Sequence, residues 1–234
     1  MNMEKVPHHV AIIPDGNRRW ARAKGLFPYE GHREGAKRVH EIAEHGFERG
    51  VKYITVWGAS ADNLKKRSKT EVGFLVKLFE KELYEILNSK TLRKNEIRMR
   101  VVGKGTEIAR SKILSKLVDD AENETKHFKK GNLTILFGYD GKEEMIEAFE
   151  KGKKRGGAKY DYESVKELLW TKDLPPVDLV IRTGGEPHWS SGFMMWHTTD
   201  SQFYFTETFW PAFGEKEFEK ALHDFARRGH RLGA

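Results

Sequence analysis

The sequence predicts an α/β fold: a single domain over residues 1–234, with a mostly parallel central sheet flanked by helices. Three observations carry that expectation. Short apolar runs alternate with amphipathic helical patterns along almost the whole chain, as strand–helix–strand units require. A chain of 234 residues can bury a sizeable core without splitting. No linker, internal repeat or low-complexity tract divides it.

The elements follow in order. Val10-Ala11-Ile12-Ile13 reads as a first buried strand, with a turn at Asp15-Gly16-Asn17 and a helix from Arg18 to Ala23. A helix from about His32 to Arg49 precedes a second strand, Lys52 to Trp57. The next helix, about Lys69 to Asn88, sets Val72, Leu75, Val76, Phe79, Leu83, Ile86 and Leu87 at helical spacing, with Phe74 and Leu78 widening the stripe. Further strands are expected at Ile97 to Val102, Leu133 to Phe137 and Asp178 to Ile181. Helices are expected near Ile108 to Ala121, Glu143 to Phe149 and Tyr162 to Leu169, and a last one carries Phe218, Ala221, Leu222 and Phe225 on one face. The aromatic run Phe203-Tyr204-Phe205 with Phe209 and Trp210 reads mostly as core.

Composition narrows the function. The chain has no cysteine, which excludes disulfides, thiolate catalysis and sulfur-ligated zinc, and suits a reducing cytoplasm. Its first residues lack the apolar stretch of a signal peptide, and no apolar run approaches the roughly 18 residues that span a bilayer. Forty-two Lys and Arg against 35 Asp and Glu give a net charge of +7, which suits an anionic partner: nucleic acid, an anionic membrane surface or a phosphorylated substrate. No nucleic-acid-binding motif is present and the charges are dispersed, so no nucleic-acid partner is expected. Glycine-rich spacing of the Walker or dinucleotide type is absent too.

The residues able to carry chemistry follow strand ends, where open α/β sheets bind their ligands. In Pro14-Asp15-Gly16-Asn17-Arg18-Arg19-Trp20, a carboxylate just after a buried strand can hold Mg²⁺, and Gly16 with the following helix N-terminus can approach an anion. An aspartate cap beside ordinary surface arginines would look the same. Gly31-His32 again places a glycine at a helix start, where His32 can cap the helix, donate to a phosphate or relay a proton. Ser60-Ala61-Asp62-Asn63, with Lys65, Lys66 and Arg67 behind it, suits a diphosphate or a solvated loop. The strongest segment is Asp178-Leu179-Val180-Ile181-Arg182-Thr183-Gly184-Gly185-Glu186, continuing through His188, Ser190 and Ser191. An arginine leaving a buried strand is costly unless it meets an anion or carboxylate.

Together these blocks resemble the cis-prenyltransferases, the family of undecaprenyl and dehydrodolichyl diphosphate synthases. The likeness runs from His9 to Gly233, and it includes Tyr204-Phe205-Thr206, Trp210-Pro211 and the terminal Arg231-Leu232-Gly233. It implies a Mg²⁺-dependent, homodimeric, cytoplasmic transferase with a hydrophobic tunnel, in peripheral membrane contact through its lipid product. Such an enzyme joins isopentenyl diphosphate to an allylic isoprenyl diphosphate primer, giving a Z-polyprenyl diphosphate. A catalytically weak member serving a heteromeric enzyme is the alternative, although such members tend to lose the Asp15 motif.

By the same resemblance Asp15 holds the metal, and Gly16, Asn17, Arg19 and His32, with Arg18 and Trp20 beside them, hold the primer diphosphate. Ser60 and Asn63 lie between the substrates. Arg67, Arg182 and Ser190, with His188, take the isopentenyl diphosphate, and Arg231 reaches that site from the partner subunit. Proton loss involves the Asn63 and His32 region or a substrate phosphate. The tail lies against the stripe from Val72 to Leu87, which core packing would explain equally well. Several positions depart from the bacterial pattern: Pro28 replaces a primer-binding arginine, Leu64 an aromatic and His188 an arginine, and the loop from Pro187 to Gly192 is one residue longer. Gln202 stands where a second metal-linked acid is usual, with Asp200 as a substitute carboxylate, and small Gly58 favours a longer product.

Overall fold

A computed structural model describes residues 5–88, 94–155 and 160–228. Six parallel strands form the sheet: β1 (His9–Ile13), β2 (Tyr53–Ser60), β3 (Ile97–Val102), β4 (Gly131–Tyr139), β5 (Leu179–Arg182) and β6 (Gln202–Phe205). Their spatial order is β3-β4-β2-β1-β5-β6. The chain leaves β1 towards β2 on one side and returns as β5 on the other, so the order reverses between β1 and β5. The carboxyl ends there form the crevice in which such sheets bind ligands.

All five residues of β1 are buried because helices and loops cover both faces. Val10 and Ile12 join the larger core, packed by Ile42, Leu83, Phe218 and Phe225, whereas Ala11 and Ile13 face Trp57, Tyr139, Phe193 and Met194. His9, fully buried, keeps its polar atoms paired: one ring nitrogen lies 3.0 Å from the Pro175 carbonyl, the other 2.8 Å from the Thr55 hydroxyl. Burial holds its pKa at about 4.

The helices are α1 (Asn17–Ala23), α2 (Pro28–Glu48), α3 (Ala61–Lys66), α4 (Lys69–Asn88), α5 (Gly105–Ala109), α6 (Lys112–Thr125), α7 (Gly141–Lys154), α8 (Tyr162–Lys166) and α9 (Glu215–Arg227). The bounds expected for α4 and β3 match. Others shift for visible reasons. Pro28 takes the first turn of α2, where its missing N–H costs nothing, so that helix starts earlier than His32. The helix expected over Ile108 to Ala121 is broken at Arg110, which adopts a left-handed φ of 50° before Ser111 caps a new helix through the Leu114 N–H. The helix expected to reach Leu169 ends at Lys166. The aromatic run thought to be core contains the edge strand β6, with Phe205 exposed.

Candidate active site

Asp15 and Arg182 meet because of strand register. Ile13 pairs with Arg182 across β1 and β5, so Asp15 follows one strand end while Arg182 closes the other. Thr183 locks them together: its hydroxyl donates to the Asp15 carbonyl at 2.8 Å and accepts the Asp15 N–H at 2.9 Å. Gly16 holds a φ of 100°, and a Cβ there would lie 2.5 Å from Phe209, so only glycine fits this turn. Gly184, at φ 87°, passes so close that a Cβ would fall 2.9 Å from Arg19 Nη2.

Two carboxylates organise the cations. Asp15 accepts from the Gly16 N–H at 2.6 Å, from Arg19 Nη2 at 3.2 Å and from Arg182 Nη2 at 3.2 Å. Arg182 is only 5% exposed, and its other terminal nitrogen donates to the His188 carbonyl at 2.7 Å and to the Ser190 hydroxyl at 2.5 Å. Its Nε is buried without a partner. The second carboxylate is Glu71 on α4: Arg67 donates to it at 3.0 Å, Arg18 lies 3.8 Å away and His32 3.9 Å away. Arg67 also donates to Asn63 Oδ1 at 3.3 Å. Burial, reinforced by Arg67 and Arg18, holds the His32 pKa at about 4, so the ring is neutral near pH 7.

These groups line a cleft of about 570 Å³ with Asp15, Gly16, Asn17, Arg18, Arg19, His32, Ser60, Asn63, Arg67, Arg182 and Ser190 on its walls. An apolar cavity of about 120 Å³ adjoins it, sharing Pro14, Asn17, His32, Gly58, Ala59 and Leu75. Gly58 is the extra residue of a β-bulge, since Trp57 pairs with Leu136 and Ala59 with Phe137. Of the stripe on α4, Leu75, Leu78, Phe79 and Ile86 line the cavity, Ile86 also belonging to the core with Val76 and Leu83.

Most of the expected site residues therefore converge, with departures. Trp20 does not line the cleft, and its ring lies under the Lys24 ammonium. Arg67 stands with His32 and Arg18 rather than with Arg182. His188 contributes its carbonyl to Arg182, while its ring contacts the Ser190 hydroxyl. Ser60 also caps α3 through the Asn63 N–H. Gln202 pairs with Leu179, three residues before the Arg182 level, which puts it about 10 Å down the sheet from the cleft. Within one chain neither Gln202 nor exposed Asp200 reaches Asp15. Arg231 lies outside the described residues. Sequence reasoning missed Glu71, whose position two residues into a predicted helix gave no signal. It also missed Trp57, whose buried indole N–H has no partner at the cleft wall.

Among the described residues no cluster of three or more His, Asp or Glu side chains could hold a metal alone. Asp15 still fits Mg²⁺, because its carboxylate is partly open to the cleft and this ion binds through one or two carboxylates plus substrate phosphates.

Residues 13–233 match the family model described as "Putative undecaprenyl diphosphate synthase". The chain belongs to this prenyltransferase family. An isoprenyl transferase of Fusobacterium nucleatum is 39% identical over 232 residues, covering 99% of this chain and 98% of that protein. A (2E,6E)-farnesyl-diphosphate-specific ditrans,polycis-undecaprenyl-diphosphate synthase of Acinetobacter baylyi is 39% identical, covering 97% and 92%. The crystal structure of lavandulyl diphosphate synthase from Lavandula x intermedia, in complex with dimethylallyl diphosphate, superposes with a TM-score of 0.89 at 29% identity, covering 98% of this chain and 99% of that one. Prenyltransferase relatives thus match the whole length, and the six-stranded parallel sheet is the fold of a prenyl diphosphate synthase. No described helix of this prenyltransferase is long and apolar enough to cross a membrane.

Proposed function

We propose that the chain condenses isopentenyl diphosphate with an allylic isoprenyl diphosphate primer, releasing diphosphate and extending a Z-polyprenyl chain. The observation that carries this reading is the join between a cleft holding two cation clusters and an apolar cavity on its flank. Two anionic heads and one growing hydrocarbon tail need that combination.

The cluster of Arg18, His32 and Arg67, with the Gly16 and Asn17 turn and Arg19, would hold the primer diphosphate above the apolar cavity. Arg182 and Ser190, braced by the His188 carbonyl, would hold isopentenyl diphosphate. Ser60 and Asn63, which line the same cleft, would lie between them. As the allylic carbon–oxygen bond breaks, negative charge grows on the departing diphosphate, where arginines stabilise it more than in the bound substrate. Mg²⁺, carried by Asp15 with substrate phosphates, would neutralise further charge on the phosphate oxygens. The isopentenyl double bond then attacks the allylic cation, and a proton leaves the new unit. His32, neutral and weakly basic, is a poor acceptor for that proton, which favours a diphosphate oxygen. The edge strand β6, with exposed Phe205, supports a homodimer in which Arg231 completes the partner's cleft, and a lipid product supports peripheral membrane contact. No observation favours a silent heteromeric subunit.

Incubation with labelled isopentenyl diphosphate, Mg²⁺ and primers of several lengths, followed by product sizing, tests the proposal. Label should enter chains only when primer and metal are both present. Failure with every primer would overturn it.

A further inference from the structure

Beyond Asn17 and His32, which it shares with the cleft, the apolar cavity contains two side chains that do not belong in a hydrocarbon wall. His40 of α2 and Glu82 of α4 both line it, and His40 Nε2 lies 2.8 Å from Glu82 Oε2. The Glu82 side chain is 12% exposed, whereas that of His40 is 40% exposed and reaches solvent on its outer side. A carboxylate this buried is costly without a partner, and the imidazole of the neighbouring helix is that partner. Around them the walls are Val39, Leu78, Phe79 and Ile86.

Position gives the pair its meaning. Both helices run away from the cation cluster at Glu71 and His32. His40 lies eight residues beyond His32, and Glu82 eleven beyond Glu71, so at about 1.5 Å per residue the pair sits about 12–16 Å along the walls. A short tail anchored by its diphosphate would meet only apolar surface. A longer one would have to part the imidazole from the carboxylate and leave Glu82 desolvated and alone. Burial of apolar carbon rewards each added unit up to that depth and not past it.

We propose that the His40–Glu82 pair bars the deep part of the tail cavity and sets the length of the product. The inference rests on the proposed function, since it presumes a prenyl tail in this cavity. Its test needs no turnover. Binding of prenyl diphosphates of increasing length, without isopentenyl diphosphate, is measured by calorimetry on the full chain and on Glu82→Leu. In the wild type, affinity should rise at least about threefold per isoprene unit and then level off once the tail reaches the pair. In Glu82→Leu the rise should continue past that length, and products in the condensation assay should lengthen by one unit or more. Should Glu82→Leu lose its cooperative melt, Glu82→Gln carries the comparison, with a weaker break at the same length. Identical length dependence in wild type and variant, or no binding of any prenyl diphosphate, overturns the inference. A break that shifts in the variant of a chain that never incorporates label would sink the proposed function and with it the product-length role, leaving only the pair's barrier to a bound tail.

Discussion

Two of the prenyltransferase's cation-bearing clefts differ in what the cations face. One lies against edge strand β3, about 420 Å³ in volume, where Arg98, Arg100 and Lys104 meet Glu107, Glu122, Glu147 and Asp173. There Arg100 donates to Asp173 at 2.7 Å, and Lys104 is gripped by Glu143 and Glu147 while lying over Trp170. Both partners gain from it: the two carboxylates raise the Lys104 pKa, and Arg100 holds Asp173 below the usual carboxylate range. In the cleft at the β1 and β5 ends, five arginines line the walls against Asp15, Asp62 and Glu186. Two guanidinium groups share one oxygen pair of Asp15, and a buried Arg182 Nε donates to nothing. Positive residues alone do not mark a site; positive charge left over after internal pairing does.

Substitutions at matched positions test the contrast, and the largest effect should come from Asp15. Asp15→Ala should cut turnover at least about a hundredfold with an unchanged melting profile, as loss of a metal-centred charge interaction of several kcal/mol requires. Asp173→Ala in the other cleft should leave turnover intact. A purified Asp15→Ala chain keeping more than about a tenth of wild-type rate would dismiss the metal role.

Arg182→Ala should raise the KM for isopentenyl diphosphate about ten- to hundredfold and leave the primer KM nearly unchanged, consistent with a lost charged hydrogen bond of roughly 1.5–3 kcal/mol. Arg100→Ala should move neither. Equal damage to both constants would make Arg182 a brace for the crevice instead.

Acid should weaken the fold through buried imidazoles, one in the β1–β5 cleft and two elsewhere in the protein. His9, His32 and His197 have folded pKa values of about 4, below the 6.5 of the unfolded chain. The unfolded state therefore binds more protons, so their contribution is complete above about pH 6.5 and falls as the pH drops towards 4, by at most about 1.4 kcal/mol per unit for each group. Denaturant midpoints measured at pH 8, 6 and 4.5 should show the fall begin below 6.5, and His9→Gln should flatten it. A flat profile down to pH 4.5 would contradict the assignment.

The smallest effect is expected at Trp57. Trp57→Phe keeps the ring stacked on Phe193 and removes an indole N–H that has no partner in the protein, so a KM rise of about fivefold is expected if the group donates to substrate. Unchanged constants for both substrates would show that the N–H stays unused.

The sequence disclosed the sheet better than its surroundings. β1, β3 and the helix over Lys69–Asn88 were readable because burial on both faces gives β1 a continuous apolar run, edge strand β3 alternates at Ile97-Arg98-Met99-Arg100, and helical spacing leaves a stripe. The break at Arg110 was not, because a single left-handed residue has no periodic signature. Edge strand β6 was lost among aromatics, since its residues are half exposed and resemble core only by type. Asp15 and Arg182 were legible as residues after strands, whereas Glu71 and the His40–Glu82 contact arise from helices whose sequence separation says nothing about proximity. Gln202 shows what family pattern alone leaves open: it stands where a metal-linked acid is usual, while within one chain strand register sets it below the Arg182 level.

The division of the cleft's cations around two carboxylates, Asp15 and Glu71, also bears on discrimination among the many phosphate esters a cell contains. An ester with one phosphate can engage only one cluster and leaves the other's positive charge unanswered. A pair of prenyl diphosphates answers both and adds hydrocarbon that polar metabolites lack. Selectivity in such a site comes less from rejecting the wrong anion than from the incompleteness of its fit, so abundant small phosphates would act as weak, displaceable competitors.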